Sequence, residues 1–169
     1  MSKAYDLIVE HYAMQCAKRS KVPLINHINE GLVVLDEIGA TQRAKDAFCI
    51  HPMLQHDRDL SANWKEVASE CDSETILMAM EYRSVANEFL SDKMDLDVVP
   101  DIRLSPLAEV NQMLIADKVQ NYKDFTKYHY GTHPRSDKLD AYFHKWLAAL
   151  NIDLRTYTRL YKLIDASKK

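Results

Sequence analysis

Apolar residues recur along this chain every three and four positions, the spacing of one face of an α-helix. Leu7, Ile8, Tyr12 and Cys16 predict a first helix over 4–18. Pro23 suits a first helical position and opens a second over 23–38. That segment carries Leu24, Ile25, Ile28, Leu32, Val34, Leu35 and Ile38, with Gly39 as its stop. Thr41 can cap a third helix ending near His51, because Pro52 lacks the N–H needed to continue the ladder. Asp72 or Ser73 can cap a fourth over 74–90. Ser105-Pro106 starts a long helix over 107–130, closed by Gly131, and two more follow over 136–150 and 154–166. Residues 92–105, with Pro100, read as a loop inside the domain. No segment alternates as a half-buried strand should. The expectation is an all-α bundle of six to eight helices forming one domain over residues 1–169.

Several polar residues fall on these apolar stripes. In the long helix the stripe is Leu107, Val110, Leu114, Asp117, Asn121, in steps of three, four, three and four. Asp117 and Asn121 therefore point where the leucines point. His27 lies three residues after Leu24 and four before Gly31. His51 follows Ala44, Ala47 and Phe48 at seven, four and three residues. A buried carboxylate is costly unless it is paired, hydrogen-bonded or bound to metal. Each inward histidine alone reads more simply as a hydrogen-bonded core residue. Together with Asp117 they form a set competent to hold a metal, and imidazole plus carboxylate suits Mn, Fe or Zn better than Mg or Ca.

Composition narrows the classes. Only three of 169 residues are glycine, which disfavours turn-rich β architectures. A net charge of -3 gives no sequence-independent grip on nucleic acid. No apolar run approaches a membrane span, and the first residues do not read as a secretory leader. Cys16, Cys49 and Cys71 form neither a metal pair nor a disulfide framework, so a cytoplasmic protein with reduced thiols is expected. Of the seven histidines, His11, His129, His133 and His144 share no stripe and read as surface residues.

Three segments resemble the HD superfamily of metal-dependent phosphohydrolases, in particular its guanosine tetraphosphate (alarmone) hydrolase branch. Pro23-Leu24-Ile25-Asn26-His27 resembles Pro-Tyr-Ile-x-His, whose histidine is a metal ligand. Ile115-Ala116-Asp117-Lys118-Val119-Gln120-Asn121 resembles Ala-Asp-Lys/Arg-Leu-x-Asn, with a ligand Asp and an Asn beside the substrate. Tyr142-Phe143-His144-Lys145-Trp146 resembles a late Tyr-Phe-x-Trp, whose Tyr lies near the nucleotide. The resemblance spans about 16–150.

The namesake His-Asp pair fits in two registers. The literal pair is His56-Asp57. The alternative follows the apolar helix Ala47-Phe48-Cys49-Ile50 into His51, with Pro52 where the family has Asp and Gln55-His56 where it has the Glu-Asp that positions water. The second fits the apolar helix better. The resemblance thus implies metal ligands among His27, His51, His56, Asp57 and Asp117, and water-positioning roles among Gln55, His56 and Asp59. It places substrate contacts at Lys18, Arg19, Lys21, Asn121 and Tyr142, and Arg83, on the stripe of Ile76 and Met80, is a further candidate for bidentate phosphate contact. Lys18, Arg19 and Lys21 read equally well as a solvated loop, and Arg83 as half of a structural ion pair.

The implied function is metal-dependent hydrolysis of a nucleotide or alarmone-like phosphorylated small molecule. The implied cofactor is one divalent metal, Mn ahead of Fe or Zn, or none if the site is degenerate. The competing expectation is an inactive helical module that binds a nucleotide or a protein partner. An HD-type di-iron oxygenase would need further inward ligands, which the stripes do not supply.

Overall fold

Eight helices and no strand form among the described residues, 2–94 and 102–166, of the computed structural model. They are α1 (Lys3–Tyr12), α2 (Ile25–Glu37), α3 (Gln42–Leu54) and α4 (Asp57–Glu70), then α5 (Ser73–Glu88), α6 (Ala108–Tyr128), α7 (Ser136–Ala149) and α8 (Leu154–Ala166). The expected all-α bundle is what forms, with the helix count at the top of the expected range.

Local chemistry explains most boundaries. The side chains of Ser2, Thr41 and Asp72 accept bonds from backbone N–H groups of the first turns of α1, α3 and α5. These satisfy donors that a helix start leaves without partners. Gly39 takes φ +69° just after α2, a conformation open to glycine.

Three boundaries differ from the sequence pattern. The first helix ends at Tyr12 rather than near 18, because Ala13 adopts φ 42° and turns the chain. Residues 13–24 then fold back on themselves, with Ala17 N–H bonded to Val22 O at 2.8 Å and Leu24 N–H to Gln15 O at 2.9 Å. α3 runs through Pro52 to Leu54 instead of stopping before it. α4 was not anticipated, since just one of its residues, Val67, is buried. The expected 92–105 loop lies partly outside the described residues.

α3 and α6 carry the core. α3 packs against α1, α2, α4, α5 and α6, and α6 also packs against α2, α5, α7 and α8. Phe48, Ile50, Met53 and Leu54 of α3 are fully buried, as are Met113 and Leu114 of α6 and Trp146 of α7. Fully burying such side chains is worth about 1.5–3 kcal/mol each, so these contacts rather than the polar ones set helix positions. Gly31 lets α2 approach α3, because a Cβ there would collide with the Phe48 ring. Gly31 lies one turn after His27, and Phe48 one turn before His51. The close helix approach therefore brings the two histidines together.

Candidate metal centre

His27 on α2, His51 on α3 and Asp117 on α6 converge at one point. One ligand atom from each lies within 4.8 Å of the others, and among the described residues this is the group of that kind. His27 Nε2 is 3.4 Å from His51 Nε2 and 3.6 Å from Asp117 Oδ1. The fold thus brings His51, and not His56, to His27 and Asp117.

Hydrogen bonds behind the rings say what faces forward. His51 Nδ1–H donates to the Phe48 carbonyl at 2.6 Å, and His27 Nδ1–H donates to Gln120 Oε1 at 2.7 Å. In its neutral form an imidazole carries one N–H, so with Nδ1–H engaged each ring presents a lone pair at Nε2. Two lone pairs then face each other and Asp117 Oδ1 with no hydrogen supplied by any of the three residues. A divalent cation satisfies all three at once, and ring N–H groups held by outer acceptors are the usual support of histidine ligands. Two nitrogens and one oxygen fit Mn, Fe or Zn, and three protein ligands leave positions open.

The electrostatics follow from burial. Burial, with help from His27, pulls the His51 imidazole down to about 3, so it stays neutral. Burial would raise the Asp117 carboxyl, but the Lys118 ammonium, joined by the two imidazoles once acid protonates them, outweighs it and holds it at about 2. Lys118 Nζ sits 2.8 Å from Asp117 Oδ2 and 4.7 Å from the centre of the Trp146 ring. Asn121 Nδ2 donates to Asp117 Oδ1 at 2.8 Å. Burial and the Asp117 charge keep the Tyr82 hydroxyl protonated, well above its ordinary range.

These shifts give a pH prediction for the metal-free protein. His51 takes up its proton near 6.5 when unfolded but near 3 when folded. The unfolded chain thus binds more protons across that window, and stability falls as pH drops through it. Asp117 extends the loss in the same direction between 3.8 and about 2. Within the His51 window the expected slope approaches about 1.4 kcal/mol per pH unit. Urea unfolding at pH 7, 6 and 5 measures it, and a flat profile that His51→Phe leaves unchanged would contradict it.

The three residues lie at the floor of a cavity of about 630 Å³. Gln55, His56 and Asp59 line its wall, as do Asn121 and Tyr142. His56 and Asp57 both stay outside the ligand cluster. Asp57 is 95% exposed and paired with Arg83, so the literal register brings no aspartate to the centre. Gln55 donates its amide nitrogen to Asn87, while its Oε1 is buried without a hydrogen-bond partner among the described residues. Lys18, Arg19 and Lys21 are exposed and do not line the cavity, so the basic segment before His27 supplies it no phosphate contact in this conformation. Arg83 does not line it either, being drawn to Asp57. Of the presumed surface histidines, His11 also lines the cavity.

Sequence reasoning did not anticipate Tyr82, Gln120, Glu30 or Lys123. Gln120 Nε2 donates to Glu30 Oε2 at 3.0 Å and to Asp124 Oδ2 at 2.8 Å. Lys123 Nζ lies 2.6 Å from both carboxylates. The available signal was spacing: Glu30 is three residues after His27, and Gln120 three after Asp117, on faces already read as inward.

Comparison with known proteins returned no match: no family model, curated protein or solved structure matches this chain.

Proposed function

We propose that this protein is a divergent HD-type metal-dependent phosphohydrolase acting on a nucleotide or alarmone-like phosphorylated small molecule. One observation carries the reading: three donors without hydrogens converge at the floor of a cavity sized for a small molecule. His27, His51 and Asp117 would hold the ion, Mn ahead of Fe or Zn. The bound ion would lower the pKa of a water and polarise a phosphoryl oxygen.

The chain's own residues supply the rest. Lys118 engages Asp117 Oδ2, leaving Oδ1 turned to the imidazoles. Tyr142, whose hydroxyl lies 3.4 Å from Lys118 Nζ, offers a ring wall for the body of the substrate. Asn121 stands beside it. His56 and Asp59 line the cavity and would hold a proton for an attacking water. Three free cysteines and no helix able to cross a membrane among the described residues accord with a cytoplasmic setting.

A second reading is an inactive binder of a nucleotide or a protein partner. Pro52 in place of a carboxylate, and Gln55 tied to Asn87, favour it. Phosphate release with Mn, from nucleoside mono-, di- and triphosphates and guanosine tetraphosphate, separates the two. The expected result is release from at least one substrate, abolished by chelation and in His51→Ala. No release across the panel from Mn-loaded protein would leave the inactive binder.

A further inference from the structure

Both ligand imidazoles are set by partners that point away from the centre, and each partner exists because of one unusual residue. In α3 the amide that would ordinarily close onto the Phe48 carbonyl belongs to residue 52. Residue 52 is proline, whose nitrogen has no hydrogen. The Phe48 oxygen is left open, and His51 Nδ1–H takes it at 2.6 Å. A helix-interior proline is costly, and Pro52 is half-buried inside a 13-residue helix.

The partner of His27 is fixed differently. A glutamine amide can turn either end forward, but Gln120 cannot. Its nitrogen faces the carboxylates of Glu30 and Asp124, at 3.0 and 2.8 Å. Reversing the amide would put oxygen against two carboxylates and N–H against the ring N–H. Lys123, fully buried between Glu30 and Asp124, holds both in place. Gln120 and Glu30 are 1% and 2% exposed, so the bond between them is shielded from bulk water. The network sits one turn beyond the ligands on α2 and α6, and so fastens together the two helices that carry His27 and Asp117.

We propose that Pro52 and Gln120 are positioning residues of the metal centre. Pro52 frees the Phe48 carbonyl for His51, Gln120 offers only its oxygen to His27, and together they hold both Nε2 atoms bare and turned toward Asp117. The inference rests on the reading that the cluster takes a divalent cation. It makes Pro52 more than a lost carboxylate, because the same residue orients the neighbouring histidine.

Long-range 15N–1H NMR of the metal-free protein reports the tautomer of each histidine. The expected wild-type pattern is Nδ1–H with a bare Nε2 for both His27 and His51. In Pro52→Ala the new amide takes the Phe48 carbonyl. His51 is then expected to populate the Nε2–H form and Mn affinity to fall about 10- to 100-fold. The midpoint of thermal unfolding should rise in the same variant, because alanine suits the helix. A merely structural role for Pro52 does not move affinity and stability in opposite directions. Gln120→Leu should release His27 in the same way. A dominant Nε2–H on either ring of the wild type would overturn the proposal. So would Pro52→Ala binding Mn as tightly as wild type. Absent phosphate release with Mn binding and tautomers as expected would count against the phosphohydrolase alone.

Discussion

Asp117→Ala is expected to abolish Mn binding and to cost about 3–5 kcal/mol of stability. The two losses have separate causes. The first is removal of the one carboxylate among the three candidate ligands. The second concerns Lys118, whose side chain is 6% exposed and lies 2.8 Å from the Asp117 oxygen. Without Asp117 it is a buried ammonium facing only the Tyr142 hydroxyl and the Trp146 ring. A neutral, flexible side chain of similar length removes that penalty. Asp117→Ala/Lys118→Met should therefore regain most of the stability and none of the metal. Urea unfolding and Mn titration by calorimetry measure the two quantities on the same samples. A single variant within about 1 kcal/mol of wild type would mean the pair is not a buried charge pair.

Lys123→Met is the second large effect. Lys123 and Glu30 are 0% and 3% exposed and lie 2.6 Å apart. Removing the ammonium leaves Glu30 charged in the core beside Asp124, again at about 3–5 kcal/mol. It also frees the carboxylates that fix the Gln120 amide, so Mn affinity should fall although Lys123 touches no ligand. Glu30→Gln in the same chain removes the stranded charge and should recover stability. Equal stability of Lys123→Met and wild type in urea would refute this account of the network.

The helical bundle was legible in the sequence because burial imposes a period, and α2, α5, α6, α7 and α8 bury residues at that period. α4 was not, because an exposed helix needs only a few apolar positions, and Leu60, Trp64 and Val67 were too sparse to stand out among charges. The end of α1 was hidden for another reason. Ala13 turns the chain at a positive φ with neither glycine nor proline to announce it.

The candidate ligands His27, His51 and Asp117 were legible as polar residues on apolar stripes. The preference for His51 over His56 was legible as well, since His51 ends an apolar run, but the continuation of α3 through Pro52 and the start of α4 at Asp57 were not. The orienting residues were less visible still. Glu30, Gln120 and Lys123 reveal themselves only when α2 and α6 pack together, and a proline in a helix reads first as a break.

The central claim is that His27, His51 and Asp117 bind one metal ion. Anomalous diffraction from crystals grown with Mn tests it most directly. The expected result is one peak bounded by His27 Nε2, His51 Nε2 and Asp117 Oδ1, absent in Asp117→Ala/Lys118→Met. Density for the three side chains with no anomalous peak between them, at Mn concentrations that saturate any binding seen in solution, would contradict it.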